Sequence, residues 1–183
     1  MSRFEALGGE TKFTGHIVTV SVERFRHADG EVVTREKVAH PGAVGIIALD
    51  DTHVWLVRQP REVPGLEASL EIPAGKLDVP GEEPLATAKR ELAEEIGKQA
   101  ERWHELMVFY TSPGFSDERV WLFVAMDLSD APPAPVQENE RIEIVPWPLS
   151  ELDLAVRECT DSKSLIALLW LGKRPAPLPE PTT

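Results

Sequence analysis

The sequence predicts an α+β fold in which a mixed β-sheet carries helices on its two faces. Three observations predict it. Short runs of β-branched and other apolar residues recur from Val18 to Trp147, several alternating with polar residues in the two-residue period of strands. One strongly patterned helix interrupts them in mid-chain, at about Glu83 to Ile96, and two more helical patterns come late, at Leu149 to Arg157 and Asp161 to Leu171. Such an order packs as helix, sheet and helix layers around one core. A chain of 183 residues, 42 % of them apolar, is long enough to bury that core as one domain.

In chain order, Val18, Val20 and Val22 alternate with Thr19, Ser21 and Glu23, the pattern of a half-buried strand. His27-Ala28-Asp29-Gly30 is a turn signal into a second strand, Glu31 to Ala39, so residues 1–40 form an N-terminal β-hairpin extension. Ala43 to Leu49 and Val54 to Arg58, joined by a turn at Asp50-Asp51, make a second hairpin whose apolar run suits the centre of a sheet. Pro60 to Gly65 is expected as a loop, and Leu70 to Ile72 as a short strand leading to Pro73-Ala74-Gly75. Beyond the mid-chain helix, Trp103 to Tyr110 and Arg119 to Met126 are strands flanking the loop Thr111 to Glu118. A Pro- and Ala-rich loop, Asp130 to Gln137, leads through Glu138 to Glu140 into the strand Ile142 to Trp147. The main domain spans residues 41–173. The tail, 174–183, holds four prolines in ten residues and is expected to be disordered.

Composition narrows the partners. The net charge is −12, from 31 acidic residues against 19 Lys and Arg, which argues against a nucleic-acid backbone. A phosphate-bearing small molecule remains compatible where metal ions and local arginines reverse the field. No run of residues is apolar enough for a membrane span, the N-terminal MSRFEALGGETKF has no apolar leader segment, and Cys159 is the sole cysteine. A cytoplasmic protein without disulfides or a membrane partner is the expectation.

The mid-chain helix carries the chemistry. Glu82 and Glu83 stand at its start, Pro84 suits the first helical position, and Gly97 suits the residue past its end. At about 100° per residue, Leu85, Ala88, Leu92 and Ile96 share an apolar stripe, while Glu91, Glu94 and Glu95 cluster on a stripe overlapping its edge. Like charges at these spacings repel by a few tenths of a kcal/mol each, and by more when partly desolvated. A hard divalent cation such as Mg²⁺ or Mn²⁺ would turn the repulsion into a site. By itself such a run is most often a solvated acidic face.

The loop before it changes that reading. Gly75, Glu82, Arg90-Glu91-Leu92, Glu94-Glu95 and Gly97 resemble the Nudix box, with two departures: six residues instead of five separate Gly75 from Glu82, and Lys98 takes the final aliphatic position. The first lies in a loop with a Pro80-Gly81 turn signal, and the second lies past the helix, so neither touches a ligand position. The resemblance implies a Nudix-type α/β/α sandwich and Mg²⁺-dependent hydrolysis of a nucleoside diphosphate linked to another moiety, with two or more ions per site. It implies metal ligation by Glu91 and Glu95, joined by the carbonyl of Ala74 and by Glu94 directly or through water. Arg90 and Glu82 would hold the loop against the helix, and Gly75 would permit close backbone approach.

Other residues resemble the ADP-ribose (ADP-sugar) pyrophosphatase branch: Arg58-Gln59-Pro60-Arg61, Leu70 through Asp78, Ser112-Pro113-Gly114-Phe115-Ser116-Asp117-Glu118, with Pro113 sixteen residues after Gly97, then Glu138 to Glu143 and Asp161-Ser162-Lys163. That similarity implies cleavage of ADP-ribose to AMP and ribose 5-phosphate. Arg58 and Arg61 become candidates for the diphosphate, surface ion pairs being their ordinary alternative. Pro113 and Gly114 would shape the sugar pocket, and Glu118 would bind the terminal ribose or pair with Arg61. Glu138, or else Glu140, would be the general base. The branch further implies a homodimer built through the N-terminal hairpin, whose edge needs covering. Phe13 and Phe25 are stacking candidates for adenine, or plain core. Another nucleoside diphosphate sugar, a dinucleotide such as NADH, and a catalytically silent nucleotide-binding module stay open.

Overall fold

A three-stranded antiparallel sheet begins the computed structural model, which describes residues 3–132 and 141–173. Its strands are β1 (Phe4–Thr14), β2 (Thr19–His27) and β3 (Val32–Ala39), in that spatial order. β2 and β3 are the expected hairpin, with Thr19 opposite Ala39 and Arg26 opposite Val32. Gly30 closes its turn: the amide donates to the His27 carbonyl at 2.9 Å, at a φ of 90° that glycine adopts without strain. β1 is a strand that periodicity does not predict. Its residues, FEALGGETKFT, do not alternate and are nearly all exposed, so the ladder to β2 holds it, with register breaks on either side of the Gly9 to Thr11 stretch. A β-carbon on Gly9 would lie 2.5 Å from the Val22 carbonyl oxygen, so this close approach requires glycine. Met1–Gly42 and Phe109–Arg119 form one unit of the chain. Within it the amide of Val38 donates to the Phe115 carbonyl at 2.7 Å, and that of His40 to Asp117 Oδ1 at 3.0 Å.

The second unit, Ala43–Val108 with Val120–Thr183, holds the main sheet. Its elements are β4 (Ala43–Leu49), β5 (His53–Arg61), β6 (Leu66–Glu71), β7 (Ala74–Lys76), α1 (Pro84–Ile96), β8 (Lys98–Tyr110), β9 (Arg119–Asp130), β10 (Glu143–Pro148), a 3₁₀ turn (Leu149–Glu151), α2 (Leu152–Glu158) and α3 (Ser162–Lys173). The strand order is β10-β5-β4-β9-β8, with β6 alongside β5 and β7 alongside β4. β4 is antiparallel to β5 and β7 and parallel to β9, so the sheet is mixed, as predicted. From Val44 to Leu49 the strand is buried on both faces, which explains its continuous apolar run. Val44, Ile46 and Ala48 pack with Ala88, Leu92 and Ile96 of α1 and with Phe123, and α3 also lies against β4. Full burial of a side chain like Leu92 contributes about 1.5–3 kcal/mol.

Several boundaries differ from the periodicity: β6 starts at Leu66 and not at Leu70, and β9 runs on past Met126 to Asp130. β5 continues through Pro60 to Arg61, because a register shift between Gln59 and Arg61 accommodates a residue that cannot donate to the ladder. β8 starts at Lys98, not Trp103: Gly97, at φ 64°, turns the chain directly out of α1, and Lys98 Nζ then pairs with Asp130 across the ladder at 2.6 Å. The first late helix opens with a 3₁₀ turn after Pro148. Pro146 and Pro148 sit in β10, at the edge of the sheet where proline is tolerated. The expected general bases Glu138 and Glu140, and the Pro-rich tail, lie outside the described residues.

Candidate active site on the acidic helix

Strand β7 brings the box loop onto the acidic face of α1. The Pro73 carbonyl accepts from the Ile46 amide at 2.8 Å, and Ala74 and Gly75 pair with Gly45 and Val44 of β4. The Ala74 amide then donates to Glu95 Oε2 at 3.0 Å. Gly75 meets Glu91 so closely that a β-carbon on it would lie 2.1 Å from the carboxylate carbon. Both acids are buried, each 8 % exposed. α1 is placed for this by local signals: Pro84 starts it after Glu83 in extended conformation, and the Gly97 amide closes its end on the Ala93 and Leu92 carbonyls.

Arg90 binds the acids together. Its Nη2 donates to Glu82 Oε2 at 3.1 Å, while Nη1 donates to Glu91 Oε1 at 2.8 Å and to Glu94 Oε2 at 3.0 Å. Glu82 also accepts from the Thr87 hydroxyl at 2.8 Å, and the bonds from Arg90 and Thr87 hold its carboxyl below the usual carboxylate range. Glu82, chiefly, pushes the Arg90 pKa up. So the ion pair of Arg90 with Glu82 ties the loop to the helix, and the same guanidinium reaches the acids of the next turn. Among the described residues no three His, Cys, Asp or Glu side chains converge as a ready-made cage. The donor set nevertheless fits a hard divalent cation: it is all oxygen, two of its carboxylates are buried, and Gly75 leaves the space that Glu91 occupies.

The two candidate arginines are both held by carboxylates of the same unit. Arg58 on β5 pairs with Glu158 on α2, which raises its pKa. Arg61 makes two parallel bonds to Glu71, Nε to Oε1 and Nη2 to Oε2, each at 2.7 Å. Lys163 of α3 donates to the same Glu71 at 2.7 Å and pairs with Asp161 at 2.9 Å. Asp161 Oδ2 accepts from the amide and hydroxyl of Ser164, and the Ser164 hydroxyl oxygen accepts from the Ile72 amide at 2.9 Å. Burial acts to raise the Glu71 pKa, but the bond from Arg61 and the field and bond of Lys163 outweigh it and bring it down to about 2. Sequence reasoning missed Glu71 and gave Lys163 no role. The available signal was an acid between Leu70 and Ile72 in an apolar run, since a buried charge demands a partner.

Pro113, Gly114 and Glu118 belong to the first unit. There Glu118 Oε2 accepts from the Thr111 hydroxyl at 2.7 Å and its Oε1 lies 3.5 Å from His40 Nδ1. Pro113 and Gly114 line a cavity of about 400 Å³ with Phe4, Phe25 and Phe115. Phe25 stands edge-on to Phe4, with ring centroids 5.6 Å apart, and Phe13 is largely exposed.

The chain resembles known proteins over most of its length. The NUDIX domain profile matches residues 39–169. The chain is 41 % identical over 150 residues to an ADP-ribose pyrophosphatase of Mycobacterium tuberculosis, covering 81 % of this chain and 72 % of that protein. It is 38 % identical over 176 residues to an ADP-ribose pyrophosphatase of Bacillus subtilis, covering 94 % of each. A crystal structure described as an ADP compounds hydrolase shares the fold with a TM-score of 0.79 at 24 % identity, covering 93 % of each chain. The profile takes in the whole box and the sheet that presents it, and the sequence relatives extend well beyond the box, so the chain belongs to the Nudix family.

Proposed function

We propose that this protein hydrolyses the diphosphate bond of ADP-ribose to AMP and ribose 5-phosphate, using Mg²⁺ or Mn²⁺ with two or more ions per site. The register of loop on helix carries the reading: Gly75 is seated against Glu91 while Ala74 is bonded to Glu95. Nudix hydrolases use divalent metal ions, and here Glu91 and Glu95, with Glu94 and the Ala74 carbonyl, would hold them. Bound cations would screen the diphosphate and lower the pKa of the attacking water. Arg61 and Arg58 present planar guanidinium groups suited to phosphate oxygens. The bond from Arg61 to Glu71 chiefly raises the Arg61 pKa; after the charges of Glu71 and Asp161, the negative charge of Glu95 on the acidic helix is one of the smaller contributions, and it supports a shared site. In the reaction the water oxygen bonds to one phosphorus, the bond from that phosphorus to the bridging oxygen breaks, and the water proton passes to Glu138 or Glu140.

The choice of ADP-ribose rests on the named activity of the two sequence relatives. The working molecule is proposed as a homodimer, because the three-stranded sheet exposes Phe4 and Phe13, and the β1–β2 connection Ile17, together with strand edges that a second copy would cover. Among the described residues no helix is long and apolar enough to cross a membrane.

Incubation with Mg²⁺ and a panel of ADP-ribose, ADP-glucose, GDP-mannose, NADH and nucleoside triphosphates, with products identified by mass, tests the proposal. AMP and ribose 5-phosphate released preferentially from ADP-ribose is the expected result. Pyrophosphate released preferentially from triphosphates would overturn it, as would binding of nucleotide without turnover of any substrate. Light scattering of the purified protein tests the dimer.

A further inference from the structure

Glu71 is an acid with its side chain 2 % exposed, on a strand of the main sheet, bonded at once to Arg61 ten residues before it and to Lys163 ninety-two residues after it. Its two bonds to Arg61 use Nε and Nη2, the planar fork-to-fork arrangement that fixes a guanidinium in orientation as well as position. The Arg61 side chain stays 41 % exposed, and because Nε and Nη2 face Glu71, its Nη1 lies on the side of the guanidinium away from that carboxylate. Lys163 is 13 % exposed and is itself held by Asp161, the acid whose carboxylate also accepts from the Ser164 amide in the first turn of α3. Four charges, two of each sign, thus alternate in the order Arg61, Glu71, Lys163 and Asp161, and three elements, β5, β6 and α3, meet through them.

We infer that Glu71 is a positioning residue for diphosphate hydrolysis: it holds the Arg61 guanidinium rigidly, with Nη1 on the side away from Glu71, and Lys163 in turn pins Glu71 from α3. The inference rests on the reading that Arg61 contacts the diphosphate. A fold needing only a filled core at this position would be served as well by an apolar residue, since replacing buried ion pairs by apolar groups is commonly neutral or stabilising. The bidentate geometry, which leaves the Nη1 amino group on the side away from Glu71, is what a positioning role explains. Lys163 neutralises the second half of the Glu71 charge, so Arg61 can remain turned to a ligand without leaving a desolvated acid behind.

The test is a double-variant cycle on the full chain with ADP-ribose and Mg²⁺. Arg61→Ala and Glu71→Gln are each expected to lower kcat/KM by between about tenfold and a hundredfold, the range set by a hydrogen bond to a charged group. Their combination should cost no more than Arg61→Ala alone, because both act through one guanidinium. Glu71→Gln leaves the cluster one positive charge in excess and is expected to lower the Tm; Glu71→Gln with Lys163→Met restores the charge balance and is expected to regain Tm but not kcat/KM. Arg61→Lys, which keeps the charge and loses the fork, should behave as Arg61→Ala. Normal kcat/KM in Glu71→Gln or in the balanced variant, or losses that add in the cycle, would overturn the positioning role. Normal kcat/KM in Arg61→Ala would instead overturn the assignment of Arg61 to the diphosphate.

Discussion

Gly75 and Glu91 are packed so closely that no side chain fits between them, a β-carbon on Gly75 falling 2.1 Å from both Cδ and Oε1 of Glu91. Glu91 is buried and bonded to Arg90, so it cannot swing aside without abandoning a desolvated charge. Gly75→Ala is expected to displace the carboxylate and lower kcat by about a hundredfold, the scale of a misplacement near 1 Å. Steady-state kinetics with far-UV circular dichroism checks this. A variant that folds and keeps most of its activity would show that Glu91 does not depend on Gly75 for its place.

Glu95→Gln separates chemistry from packing. The amide oxygen of glutamine can still accept from Ala74, so the loop should stay seated while one negative charge is lost. Turnover is expected to fall by more than the about 10–100-fold typical of losing an outer partner of a metal site. Titration with Mn²⁺ by electron paramagnetic resonance should show weakened metal binding, and calorimetry should still detect AMP. Wild-type Mn²⁺ affinity in this variant would exclude Glu95 as a ligand.

Stability should decline in acid through Glu71. Its carboxyl sits near its ordinary 4.5 when unfolded and is lowered to about 2 when folded. The unfolded chain therefore takes up the proton first as pH falls, so the contribution of Glu71 is complete above pH 4.5 and lost between there and about 2. The shift corresponds to roughly 3 kcal/mol. Urea unfolding from pH 6 to 2.5 should show a steeper loss in wild type than in Glu71→Gln, and equal slopes would refute the assignment. Asp50, also lowered to about 2 by bonds from Thr52, Trp55 and His53 against the opposing effect of burial, contributes equally to both proteins and drops out of the difference.

Ser164→Ala tests how α3 is fastened. The serine is fully buried; its hydroxyl donates to Asp161 Oδ2 at 2.6 Å and its oxygen accepts from the Ile72 amide at 2.9 Å. Removing it leaves a buried amide unpaired, which costs about 1–3 kcal/mol. Chemical denaturation should show that loss, with the Mn²⁺ affinity of the box acids unchanged.

Local signals made α1 legible. Pro84 and Gly97 mark its ends by backbone constraints that act within a turn, and the spacing of Leu85, Ala88, Leu92 and Ile96 marks its buried side. β4 was legible because both of its faces are buried, so its residues are apolar without interruption. β1 was not, because FEALGGETKFT carries no alternation and is held by its ladder to β2, a contribution of the neighbour and not of its own side chains. The partner of Arg61 was equally hidden, since Glu71 becomes its counter-ion only when β5 and β6 pair.

Sequence alone determined the chemistry of the box: which acids crowd one helix face, where the glycines stand, and that only oxygen donors are offered. Those properties are set by residue identity and by spacings shorter than a helical turn or a tight loop. Tertiary structure decided which charges meet. Arg90 gathers Glu82, Glu91 and Glu94, while Arg61 and Lys163 converge on Glu71 from opposite directions along the chain. The physical reason is burial: a desolvated carboxylate takes whatever cation the packing of β5, β6 and α3 brings within reach, and linear spacing does not encode that encounter.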